Sequence, residues 1–337
     1  MELTEVEILK AIREEVEWAG SDYEDRRGLY DKAIKYFYGE LPAAEDDEDN
    51  EFADLVSTDV ADTIEAVLAE VMPAFSGQAP VEFEPLSPDD EQQATLETQA
   101  VNHVVNTCGG YMALNQAIKD ALLRRAGVVK VYWDERAEVS YEQHQGLPPE
   151  VLPQVLQEAE GEALDIMDGD FDEATGTASG SLRKHRLISK PRIDPVPLDE
   201  FLISANVASP NLKEARFKAH RRPVPRSELV ELGLDPDMVE DLAAFDTYAR
   251  TSGRQREWKD EELKTGHKST EYIQVVEAYY HIDADGDGIA ELRRIITAGG
   301  SEGTDELLLD EPWDEQPFCL GVPFLGIYSW DGVSYFD

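Results

Sequence analysis

The chain has 337 residues, 30 Lys and Arg against 72 Asp and Glu, and a formal net charge of -42. That balance repels phosphate and excludes tight nucleic-acid binding through a basic groove. The same bias marks proteins of salt-rich environments. Hydrophobic residues make up 42% of the chain and are mixed periodically with the acids, so a sizeable core is expected and disorder over the whole length is not. Two cysteines, Cys108 and Cys319, cannot build a disulfide framework and suggest assembly in a reducing compartment. No apolar run approaches the length of a membrane span, and the N-terminus lacks a signal-peptide core. A soluble chain made in the cytoplasm, without membrane contact, is the expectation.

In chain order, residues 3–38 read as two helices. The first carries Leu3, Val6, Ile8, Leu9, Ile12 and Val16 as an apolar stripe, with Thr4 as N-cap. Gly20-Ser21-Asp22 is expected to break it before a second stripe of Tyr30, Ile34, Phe37 and Tyr38. Residues 42–51 are an acidic loop. A helix is expected over Asp54–Phe75, then a short strand in PVEFEP. Ser87 or Asp89 should cap the next helix, and Gly109-Gly110 divides it from a further one. Gly127 reads as the C-cap of that helix, and VVKVYWD as the strand that follows.

Three regions follow from these shifts: residues 1–134 as a helical α+β core, 135–184 as a flexible acidic insertion, and 185–337 as a β-rich part. In the insertion the strand pattern fades, and one short helix is expected near 150–160. Beyond it come proline-punctuated strands and two short helices capped at Ser227 and Asp235. A polar loop fills Lys259–Ser269, and a hairpin in STEYIQVVEAYYHIDADGDGIAELRRIITAGG turns on an Asp/Gly loop. LLLDEPW and FCLGVPFLGIYSW read as further strands. The fold class is α+β: a helical N-terminal third, then mixed helices and β-hairpins.

The sharpest local motif is Asp283-Ala-Asp285-Gly-Asp287-Gly-Ile-Ala-Glu291. Alternating aspartates before glycine match the first half of an EF-hand-type loop, so Asp283, Asp285, Asp287 and Glu291 are the candidate metal ligands, with Ca2+ as the ion. The match weakens at the twelfth position, where Arg294 stands in place of a bidentate glutamate. The flanks read as strands, and a metal-free Asp/Gly hairpin turn is the favoured reading. No nucleophile motif, P-loop, dinucleotide fingerprint or zinc motif occurs, so no catalytic residue and no cofactor is assigned. Two small basic clusters, Arg183-Lys184-His185-Arg186 with Lys190 and Arg192, and His220-Arg221-Arg222 with Arg226, are expected to pair with acids rather than to hold DNA.

Five segments together resemble the portal proteins of short-tailed bacteriophages. They are LVSTDVADTIEAVLAEVMPAF, PLSPDDEQQA, ALNQAIKDALLRRAGVVKVYWD, PVPLDEFLISANVASPNLKEARFKAHRRPVPRSELVELGLD and AYYHIDADGDGIAEL. The resemblance lies in their order, from about Asp54 to Leu292, with a variable insertion after VYWD. It implies a non-enzymatic ring subunit, normally one of twelve, at one vertex of the capsid in the virion. Its partners would be other copies of itself, the large terminase subunit, capsid and scaffold proteins, tail adaptors and double-stranded DNA in transit. The chain would supply the wing of that ring, and a chain ending at Asp337 before any stem helix suggests a truncated or split portal. The rival from another class is a calcium-binding interaction or adhesion domain built on Asp283–Glu291.

Overall fold

The structure is a computed structural model, and it describes residues 3–39, 57–77, 80–148, 163–172, 177–244 and 267–337. The expected acidic loop at 42–51, the start of the helix expected from Asp54, and the helix expected near 150–160 lie outside the described residues. The order of elements is helices first and antiparallel sheets after, so the chain is α+β.

Helix α1 runs unbroken over Glu5–Phe37. Its start is a capping box: the Thr4 side chain accepts from the Glu7 amide, and the Glu7 carboxylate accepts from the Thr4 amide at 2.9 Å. The break expected at Gly20-Ser21-Asp22 does not occur. Pairs within the helix, Asp22 with Arg26 at 2.8 Å and Arg27 with Glu24 at 3.1 Å, follow directly after Gly20 and offset the propensity cost of one glycine. What changes there is the partner of the apolar stripe. Ile8, Ile12, Val16 and Ala19 pack on a sheet, whereas Ala33 and Ile34 pack on other helices.

Those helices are α2 (Asp59–Val71), continued by a 3-10 turn through Met72–Phe75, and α4 (Gly110–Arg124). Ile64, Leu68 and Met72 meet Leu122 and Leu123 in one buried cluster. Helix α3 (Glu91–Thr107) precedes α4, and Gly109 turns the chain between them at φ 75°. Ser87 stands at the cap position of a 3-10 turn before α3, but its hydroxyl donates to Asp90 at 2.9 Å and caps no amide. The PVEFEP segment is extended without being a strand. It lies along α3, where the Asn102 side chain accepts from the Val81 amide at 3.1 Å and donates to the Val81 carbonyl at 2.7 Å. Thr98 accepts from the Phe83 amide at 2.9 Å. Side chains on a helix here replace the strand that the sequence pattern calls for.

Gly127 does not end α4. The left-handed residue is Arg125, at φ 78°, and Gly127 opens strand β1 (Gly127–Leu147). Its glycine is required by a close approach: a Cβ there would lie 1.8 Å from the Ala117 carbonyl oxygen.

The chain divides into two compact units. The larger, residues 1–132, 191–226 and 240–337, contains the helices above and a five-stranded antiparallel sheet. Its strands are β4 (Phe201–Ile203), β5 (Phe217–Pro225), β6 (Tyr272–Ile282), β7 (Glu291–Ala298) and β8 (Glu306–Pro312), hydrogen-bonded in that order. Strand β9 (Phe318–Gly321) pairs antiparallel with the start of β1, Val129 opposite Cys319. FCLGVPFLGIYSW is therefore a strand only at its beginning. Its later part is held by the isolated bridge Phe324↔Val333.

The smaller unit is residues 133–190 and 227–239. Here the fading strand pattern was misleading. Strand β1 continues to Leu147, and β2 (Ala163–Asp172) pairs antiparallel with β3 (Thr177–Val196). The hydrophobic residues Val139 and Tyr141 are exposed, so these strands bury little and show weak inside-outside contrast in sequence. Two short helices follow β5: α5 (Arg226–Glu231) and α6 (Pro236–Asp241). Ser227 lies inside α5 and caps nothing, whereas Asp235 caps α6 by accepting from the Asp237 amide at 3.0 Å.

Candidate functional site

Strands β6 and β7 form the hairpin read from the sequence, with Ile282 opposite Glu291. At its turn one carboxylate oxygen from each of Asp283, Asp285 and Asp287 lies within 4.8 Å of the others. Glu291 does not join them; it opens β7. The Asp283 carboxylate is already engaged by backbone. It accepts from the amides of Gly286 at 2.7 Å, Asp287 at 3.1 Å and Gly288 at 2.9 Å. Burial pushes this carboxyl up, but the three amides outweigh it and hold it below the usual aspartate range. Asp285 accepts from the Asp287 amide at 3.0 Å, and Asp287 from the Ile289 amide at 2.7 Å. Gly286 and Gly288 supply positive φ angles of 81° and 91°. Arg294, at the twelfth loop position, turns away to Glu277 and Glu311, each at 3.1 Å.

The second concentration of charge was not singled out in the sequence. On one face of the five-stranded sheet, Glu277 of β6 is bonded to Lys130 of β1, to Arg294 of β7 at 3.1 Å and to the Tyr279 hydroxyl at 2.7 Å. Burial pushes Glu277 up, yet the Lys130 and Arg294 charges win and hold it far below the ordinary glutamate range. Burial in turn lowers Lys130, against the pull of Glu277. The Lys130 ammonium lies 4.6 Å from the Tyr132 ring centroid, and the Arg294 guanidinium 5.0 Å from that of Trp313. The signal that could have found them is a lone charge inside an apolar strand, Lys130 in VVKVYW and Glu277 in VVEAYY.

The basic clusters are mostly tied to acids of the same chain. Lys184 meets Glu142 at 2.9 Å, Arg192 meets Asp194 at 3.3 Å, and His220 meets Glu200 at 3.1 Å. Arg221 pairs with Glu302, and Arg226 with Glu271 at 3.1 Å and with the carbonyls of Glu240 and Leu242. Cys108 and Cys319 are both free thiols.

The arrangement is a scaffold: backbone-filled carboxylates at a turn and internally neutralised charge beneath a sheet. Comparison with known families settles what kind of scaffold. The family described as Phage SU10 portal protein matches residues 8–337. The chain belongs to that portal protein family. No curated protein matches it. The family match covers the helices, the strands and the Asp283 loop alike, so these features are parts of a phage portal protein. No described helix of this portal protein is long and apolar enough to cross a membrane.

Proposed function

We propose that this portal protein is a subunit of the ring, of twelve by family expectation, at one vertex of the phage capsid. The ring forms the conduit through which double-stranded DNA is packaged and later ejected. The observation that carries this reading is the family match over residues 8–337. The net charge of -42 supports it, because an acidic wall repels the DNA backbone and leaves it free to slide. In this reading the chain assembles in the host cytoplasm, builds the wing of the ring, and meets the large terminase subunit, scaffold and capsid proteins and tail adaptors. Its work is positioning, and it calls for no catalytic residue. Negative-stain electron microscopy of the full native reading frame tests it. Uniform rings with a central hole wide enough for duplex DNA are expected; compact monomers at every concentration would count against it.

A second reading rests on the convergence of Asp283, Asp285 and Asp287. Such a group could hold a hard cation, which makes a calcium-dependent interaction domain the alternative. Three amide bonds to Asp283 favour the metal-free turn. Titration calorimetry with calcium chloride decides: no heat at micromolar calcium and no rise in the unfolding midpoint are expected.

A further inference from the structure

Two long stretches of this acidic chain contain no charged residue. Residues 98–118, from the middle of α3 through the turn into α4, contain no Asp, Glu, Lys or Arg. Neither do residues 316–330, from just before β9 to the C-terminal loop. Both display apolar side chains to solvent. At the α3–α4 turn Tyr111 is 41% and Met112 61% exposed; in the C-terminal loop Leu325 is 75%, Ile327 90% and Tyr328 88% exposed. Exposed apolar residues are common one at a time, but a neutral cluster in a chain that is 30% charged calls for a cover.

The loop is built to hold its shape. Trp330 beneath it is buried, with the Arg26 guanidinium 5.2 Å from its ring centroid. Asp331 is buried too; it accepts from the Tyr30 hydroxyl at 3.3 Å and faces Arg26 and Arg125, each at 3.8 Å. Gly332 is pressed so closely that a Cβ would lie 2.3 Å from the Phe324 carbonyl oxygen. Tyr328 sits at φ 52°, in the left-handed region that costs a non-glycine residue about 1 kcal/mol or more. A strained tyrosine displayed on a fixed loop loses little further freedom on docking.

The two uncharged stretches lie at opposite ends of one rigid element. Tyr111 and Met112 open α4, whereas Gly332 and Tyr335 bond to the carbonyls of Arg125 and Leu122 at its other end. Fifteen residues of helix separate them by about 20 Å. A ring needs two different, complementary surfaces on each subunit, because its contacts are heterologous. Copies that each carry -42 repel one another, and a contact made by uncharged segments adds nothing to that repulsion.

We infer that the Leu325–Tyr328 loop of one subunit seats on the uncharged α3–α4 turn around Tyr111 and Met112 of a second copy. This rests on the ring reading above and names its contact. The test uses the full chain, prepared as an equal mixture of unlabelled and 15N-labelled protein, with photoreactive benzoylphenylalanine in place of Tyr328. Irradiated assemblies should yield mixed-isotope crosslinks from position 328 to residues 98–118. Crosslinks confined to one chain, crosslinks to another surface, or none would overturn the contact. Separately, Ile327→Asp and Met112→Asp should each reduce the assembled fraction by about tenfold or more. Below the concentration at which either protein assembles, the unfolding midpoint should not move, since both positions are exposed. Combining Ile327→Lys with Met112→Asp should restore assembly. Intact rings in both single variants would sink the contact while leaving the ring reading standing. A wild-type chain that never assembles would sink the ring reading and the contact with it.

Discussion

The two faces of the five-stranded sheet solve the same burial problem in opposite ways. On one, α1 lays Ile8, Ile12, Val16 and Ala19 across Phe217, Ala219, Val276, Ala278 and Ile295, an apolar contact in which Ile12, Val16 and Phe217 are fully buried. On the other, Phe201, Ile203 and Tyr279 share the surface with Lys218, His220, Glu277 and Arg294. The apolar face depends chiefly on shape and volume, with the buried Glu15, bonded to Arg216 and the Tyr280 hydroxyl, beside it. The mixed face depends on each charge keeping its partner, because an unpaired ion in the interior costs several kcal/mol. One sheet thus holds a region that fails by cavity and a region that fails by charge.

The apolar face should break hardest. Phe217 is fully buried and stacks edge-on to Tyr280 at a ring separation of 5.7 Å. Phe217→Ala should cost about 3–5 kcal/mol, read as a fall in the urea midpoint, and that loss should be the same at pH 5 and pH 8. A loss that varies with pH would mean that α1 is held by charge, through Glu15 and Arg216, more than by packing.

The mixed face should break next, and with the opposite pH signature. Glu277→Gln takes the anion from the buried Lys130 and leaves Arg294 with Glu311 alone, at a cost of about 3 kcal/mol at pH 7. Changing Glu277 to Leu together with Lys130 to Met should cost far less than the two single changes added, because no ion is then stranded. The wild-type Glu277 is depressed below its unfolded value near 4.3. Its contribution is therefore fully present above that value and is lost as pH falls below it. The gap in urea midpoint between wild type and Glu277→Gln should narrow from pH 7 to pH 3; a constant gap would show that the carboxylate acts by shape alone.

That contrast also explains how much of the molecule was legible in sequence. The α1 stripe, the Thr4–Glu7 cap and the β6–β7 hairpin were readable because their signals are local: spacing, a capping residue, a turn. So was the Asp283 turn, whose three aspartates do converge while Glu291, a strand residue, does not. The Lys130–Glu277 pair was not readable, since its members are 147 residues apart and each looks like an intruder in its own strand. Gly127 was misassigned for the same reason. Its constraint is the Ala117 carbonyl brought up by tertiary packing, and nothing next to it in sequence announces that. The PVEFEP alternation was real, but its hydrogen-bond partners proved to be Asn102 and Thr98 on a helix.

Lys218 offers the finest test of the comparison, because it sits on the mixed face yet no carboxylate among the described residues pairs with it. It is 1% exposed, and its ammonium donates to the Leu212 carbonyl at 3.1 Å. Burial lowers its pKa to about 8, against an ordinary lysine value near 10.4. Between those two values the unfolded chain binds more protons than the folded one, so folding becomes more favourable as pH rises through that window. Below about 8 both states are charged, and the cost of burying the ammonium is constant. Lys218→Met keeps the length of the side chain and removes the charge. It should stabilise the protein at pH 7 by about 1–2 kcal/mol, after the Leu212 carbonyl loses its donor. The gain should shrink as pH climbs from 8 toward 10.4, since the wild type is then shedding the same charge. Urea unfolding of both proteins at pH 7 and pH 10 measures the difference directly. A destabilised variant with a flat pH response would show that Lys218 is held as an ion by its surroundings, and that the mixed face compensates charge even where no carboxylate touches it.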